Sequence, residues 1–81
     1  MTELDARLRE MLGDLVRTPV PQSGDVQFGA LAGWDSVTHL HLLLDVERTF
    51  DVTIPDDVGV RLDSLSKLHD YIAAHRGPGA G

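Results

Sequence analysis

Aspartate followed by serine occurs twice in this chain, at Asp35-Ser36 and at Asp63-Ser64. Either pair can start a helix, because an aspartate or serine oxygen satisfies one of the N–H groups left free in the first turn. Context separates the two. Ser36 ends a long glycine-containing connection and opens the most strongly patterned helix, so its hydroxyl is expected to be exposed at a junction. A phosphate attached there would meet the positive end of the helix dipole and unpaired N–H groups. Ser64 opens a shorter helix after a brief connection and reads as a cap alone.

Other chemistries are poorly supplied. His39 and His41 stand two positions apart, so on a helix their side chains diverge. His69 and His75 are six apart, and no H-E-x-x-H frame exists, so no metal site is expected. The calcium-loop frame is missing around Asp51, Asp56 and Asp57. A Ser-His-Asp hydrolase would need a G-x-S-x-G elbow and a base for Ser36, and neither is evident. The chain has no cysteine, which removes disulfides, thiolate metal sites and a cysteine nucleophile, and fits a reducing cytosol. Seven basic against thirteen acidic residues give a net charge of -6, unsuited to the phosphate backbone of nucleic acids and suited to partners with basic patches. Leu42-Leu43-Leu44 is far shorter than a membrane span. Glu3, Asp5, Arg7, Arg9 and Glu10 leave no signal-peptide core near the start. The expectation is a soluble, acidic, cytoplasmic monomer.

The elements that position Ser36 follow from apolar spacing. At 81 residues and 42% hydrophobic, the chain supports one modest core. Leu4, Leu8, Met11, Leu12 and Leu15 predict a first helix from Thr2 to about Arg17, with Thr2 and Asp5 resembling a capping box and Pro19 and Pro21 ending it. Residues 18–35 form a long connection anchored by Val26, Phe28, Leu31 and Trp34; connections of this length tend to be functional or disordered. Residues 36–50 predict the second helix, with Leu40, Leu43, Val46 and Phe50 facing inward. Val52-Thr53-Ile54 is brief and extended. Pro55-Asp56-Asp57 starts a short third helix, about Asp56 to Leu62, weakened by Gly59. The fourth runs from about Ser64 to His75 with Leu65, Leu68 and Ile72 inward, His75 and Arg76 in its last turn and Gly77-Pro78 beyond. The fold class is all-α: a small four-helix bundle of three longer helices, one short helix and a long first loop. Residues 1–76 make one domain and 77–81 a flexible tail.

The run Gly33-Trp34-Asp35-Ser36-Val37, with Leu40, Leu42-Leu43-Leu44, Val46-Glu47, Phe50-Asp51-Val52-Thr53-Ile54-Pro55-Asp56, Leu65, Leu68 and Asp70-Tyr71-Ile72, resembles an acyl carrier protein. The resemblance spans Leu4 to Ile72. It implies a 4′-phosphopantetheine arm on Ser36, donated by coenzyme A, with Asp35 orienting the transferring enzyme or its metal. It also implies a carrier that is not itself an enzyme and that holds acyl groups as thioesters. Its partners would be a phosphopantetheinyl transferase, a loading ligase or acyltransferase, and downstream biosynthetic enzymes. The alternatives are an aminoacyl or peptidyl carrier, or a helical interaction module in which Ser36 only caps.

The second helix departs from the family's usual acidic surface. Thr38, His39 and His41 occupy its early turns, and Arg48 stands where an acid is frequent. Val37, His41, Leu44 and Arg48 share one face, read either as an apolar docking surface or as packing against the loop. Glu47, Asp51, Asp56 and Asp57 form an acidic patch that would steer basic partners. These departures point to a freestanding carrier in polyketide or other specialised metabolism, and away from housekeeping fatty-acid synthesis. Trp34 reads as a loop anchor before it reads as a shield for the arm.

Overall fold

The computed structural model describes residues 3–17 and 19–75. Four helices follow one another: α1 (Glu3–Val16), α2 (Ser36–Phe50), α3 (Asp56–Gly59) and α4 (Leu65–His75), with a single 3-10 turn at Phe28–Ala30 inside the long connection. The described residues contain no strand, only an isolated antiparallel bridge between Gln27 and Ser64. The all-α bundle with one short helix is the expected architecture. Thr2, Arg76 and the tail 77–81 lie outside the described residues.

Leu4, Leu8 and Leu12 recur every fourth position and are buried on one side of α1, which packs against both α2 and α4. Leu65, Leu68 and Ile72 face them from α4. Val26 and Phe28 sink the connection into this core, and Leu31 and Trp34 pack at its edge. Fully burying a side chain of this kind stabilises by roughly 1.5–3 kcal/mol. The connection is also tied to the start of α4, because Phe28 N–H donates to the Asp63 carbonyl at 3.0 Å and Leu65 N–H to the Val26 carbonyl at 2.8 Å.

Arg9 is the residue whose placement the charge pattern conceals. Its side chain is only 6% exposed. The guanidinium donates to Asp5 Oδ2 at 2.8 Å, to the Pro21 carbonyl at 2.5 Å and to the Gly24 carbonyl at 2.6 Å. Two backbone acceptors of the connection are thereby satisfied by a cation on α1, which binds the loop to the helix it leaves.

The inward face of α2 differs from expectation. Leu42 and Val46 are buried, Leu43 and Phe50 are half-buried, and Leu40 is 52% exposed. With three leucines in succession, two adjacent faces satisfy the helical period, and the position of α1 selects the one through Leu42. α2 ends at Asp51, in the left-handed region at φ 54°, a conformation short polar residues tolerate. The chain then turns back, held by Glu47, whose carboxylate accepts the Ile54 N–H at 3.0 Å.

α3 is shorter than expected, closing at Gly59 instead of Leu62. Gly59 is buried against α2, and a Cβ at that position would lie 2.7 Å from Leu43 Cδ1. Its role is close approach between two helices, beyond the weakening of the helix expected from composition. α4 begins one residue later than expected, after Ser64.

Candidate functional site

The two Asp-Ser pairs divide their labour in opposite ways. At the start of α2 the cap is Asp35, in extended backbone at φ -144°. Its Oδ1 accepts the Thr38 backbone N–H at 2.8 Å and the Thr38 hydroxyl at 2.8 Å. These two bonds, the backbone one first, hold the Asp35 carboxyl below the ordinary aspartate range. Ser36 is the first helical residue, and it is exposed. Because the neighbouring carboxylate performs the capping, the Ser36 hydroxyl is not spent on it. At the start of α4 the serine itself caps: Lys67 N–H donates to Ser64 Oγ at 3.3 Å, and Ser64 is 1% exposed. Ser64 caps α4 as expected, whereas the side chain that caps α2 is that of Asp35, the neighbour of Ser36.

Beside Ser36 lies a cleft of about 610 Å³ between α2 and α3, lined by Trp34, Asp35, His39, Leu40, Leu43, Asp56 and Val60. Its walls are mostly apolar, with the Ser36 hydroxyl and two carboxylates at the rim. Trp34 is half-buried, its ring centroid 5.2 Å from that of Phe28. It anchors the loop, as expected, and also lines the cleft.

Val37, His41, Leu44 and Arg48 are all exposed along α2, so Val37 and Leu44 do not pack against the loop. Leu40 joins them and extends the apolar strip to the cleft, where Val60 of α3 is 71% exposed. Arg48 pairs with Asp45 at 2.5 Å. Asp56 and Asp57 are exposed in the first turn of α3. Glu47, read from the sequence as part of the acidic patch, is partly committed to the Ile54 N–H. Among the described residues, no group of three or more metal-binding side chains converges, and no helix is long and apolar enough to cross a membrane.

Sequence reasoning missed His39, Leu40 and Val60 as cleft residues. His39 carried no local signal, since its partner is a backbone carbonyl 20 positions away in α3.

No protein-family profile matches the chain. It is 42% identical over 53 residues to the mitochondrial acyl carrier protein of Saccharomyces cerevisiae, a match covering 65% of this chain and 42% of that protein. It is 36% identical over 42 residues to an acyl carrier protein of Lactobacillus johnsonii, covering 52% of each. To an acyl carrier protein of Rickettsia bellii it is 26% identical over 54 residues, 67% of each. The match thus spans less than half of the yeast protein's length. Proteins of one name from a yeast and two bacteria match a chain that folds as a four-helix bundle with Asp35-Ser36 opening its second helix, and in both respects the chain is similar to acyl carrier proteins.

Proposed function

We propose that Ser36 is the attachment point of a 4′-phosphopantetheine arm and that the chain carries acyl groups between enzymes. The observation that supports this most is the division between neighbours at the start of α2: Asp35 caps, and the exposed Ser36 hydroxyl is left beside an apolar cleft. The residues present fit the group, since the junction offers an accessible oxygen for a phosphodiester and the first-turn N–H groups of α2. When bound, the arm supplies the thiol that this cysteine-free chain lacks, on which acyl groups are held as thioesters.

The chain's own residues do the rest. Asp35 keeps α2 capped independently of what Ser36 bears. Asp35 and Thr38, the polar neighbours of Ser36, are engaged with one another, so activation of the hydroxyl falls to a phosphopantetheinyl transferase. Trp34, Leu40, Leu43 and Val60 offer an apolar cargo shelter from water. Val37, Leu40, His41, Leu44 and Arg48 form the docking face for a loading ligase or acyltransferase and later biosynthetic enzymes, with Asp56 and Asp57 steering basic surfaces. The apolar and histidine-bearing start of α2 favours partners from polyketide or other specialised metabolism. The absence of cysteine fits work in the cytosol.

The test is intact mass after incubation with coenzyme A, Mg²⁺ and a broad-specificity transferase. One arm should be added to the parent chain and to Ser64→Ala, and none to Ser36→Ala. Addition to the Ser36 variant would defeat the assignment.

A further inference from the structure

The walls of the cleft are α2 and α3, and one polar contact ties them. The His39 Nε2–H donates to the Gly59 carbonyl at 2.9 Å; a carbonyl only accepts, so the hydrogen is on that nitrogen. The imidazole is braced on its other sides by Phe28, with ring centroids 6.1 Å apart, and by Trp34 in an edge arrangement at 5.8 Å. Directly beside the bond, Gly59 meets Leu43 with no room for a Cβ. The Gly59 carbonyl also accepts the Leu62 N–H at 3.2 Å. Breaking the contact therefore takes the partner from the half-buried imidazole N–H, while the carbonyl keeps one.

We infer that His39 is the specificity-determining residue of this cleft: its bond to the Gly59 carbonyl shuts the inner end and so sets how long an apolar cargo the cleft shelters. A short cargo lies in the mouth against Trp34, Leu40 and Val60. A longer one advances between Leu43 and Gly59 only when α3 swings away and the bond breaks. The inference rests on the carrier reading above and adds to it a limit on cargo length.

Three chains test it: the parent, His39→Leu, which keeps apolar bulk between Phe28 and Trp34, and His39→Gln, whose amide N–H reaches towards the same carbonyl. Amide hydrogen exchange is read first, across Val58 to Leu62 in the chain without its arm. His39→Leu should open α3 about five- to tenfold more often, the effect of losing one hydrogen bond, and His39→Gln should restore most of the protection. Thioesters from butanoyl to dodecanoyl on the Ser36 arm are then cleaved with hydroxylamine. In the parent, protection should level off as the chain lengthens. In His39→Leu it should keep rising to longer chains. Unchanged exchange in His39→Leu, or the same plateau in both proteins, overturns the inference and leaves the carrier reading standing. Failure of Ser36 to accept the arm overturns the carrier reading and this inference with it.

Discussion

Asp25 caps a helix that begins 40 residues further along the chain: its Oδ1 accepts the Ser66 backbone N–H at 2.8 Å and its Oδ2 the Ser66 hydroxyl at 2.9 Å. The same Oδ1 also accepts the Val26 N–H at 2.9 Å. A single carboxylate thus satisfies a first-turn donor of α4 and fixes the residue that leads into the buried Phe28. Capping of this kind is a tertiary contact, in contrast to the local cap at Asp35.

Acid should loosen this junction. The Ser66 backbone N–H, followed by its hydroxyl and the Val26 N–H, lowers the Asp25 carboxyl below its ordinary value of 3.8. A carboxyl lowered in the folded chain contributes stability above its unfolded value and loses it as pH falls through the folded one. Asp5 and Asp63 are lowered too, by Arg9 and Lys67 respectively, so the effect is shared. The thermal midpoint should fall as pH drops below about 4, and less steeply in Asp25→Asn. Identical pH profiles for the two chains would remove Asp25 from this account.

Two phenylalanines should differ in cost. Phe28 is fully buried in the connection, while Phe50 is half-buried at the end of α2. Phe28→Ala should cost about 3–5 kcal/mol, enough to unfold a domain of this size. Phe50→Ala, keeping part of its surface in water already, should cost about 1–2 kcal/mol. Denaturant titration of both variants decides; equal losses would mean Phe50 contributes as a core residue.

Gly59 and Leu43 should show coupling. Gly59→Ala pushes a methyl onto Leu43 Cδ1, the mobile end of a side chain, so the cost should be about 1–2 kcal/mol. In a Leu43→Ala background the same substitution should be close to neutral. A double-mutant cycle measures the difference, and additivity would show that the contact carries no constraint.

The legible parts of the fold were those set by neighbours in sequence. The leucine spacing of α1, the prolines after it and the apolar triplet of α4 each placed an element to within a residue or two, and Pro55 placed the start of α3. What escaped depended on where the long connection runs. Arg9 looks like a solvated charge until Pro21 and Gly24 are seen to turn their carbonyls towards it. Asp25 looks like loop polarity until α4 begins beside it. Leu40 and Leu42 exchanged roles because three consecutive leucines leave the face of α2 undetermined. The exposed position of Ser36 at the start of α2 was legible because its geometry is local. Which of Asp35 and Ser36 caps was not, since aspartate and serine are nearly equal as caps and only the observed Thr38 bonds decide.

Docking through α2 should respond to apolar truncation more than to salt. Val37, Leu40 and Leu44 are exposed in one strip, whereas Glu47 is partly occupied by the Ile54 N–H. Leu44→Ala should slow transfer to a cognate enzyme roughly five- to tenfold, as loss of a central apolar contact does, with helicity and Ser36 loading unchanged. Raising ionic strength should slow the parent less than this, because salt screens exposed charges and spares apolar contact. The reverse ranking would assign recognition to Asp56 and Asp57.

The middle of the connection is secured by neighbouring groups of opposite proton sensitivity. Arg9 holds the Pro21 and Gly24 carbonyls with a guanidinium that stays charged at any pH a protein tolerates. Asp25, the next residue, holds Ser66 with a carboxylate that acid can neutralise. Acidification therefore thins the seam on one side: the segment loses its carboxylate tie to α4 and keeps only the backbone bonds of Phe28 to Asp63 and of Leu65 to Val26, while the guanidinium on α1 still holds its two carbonyls.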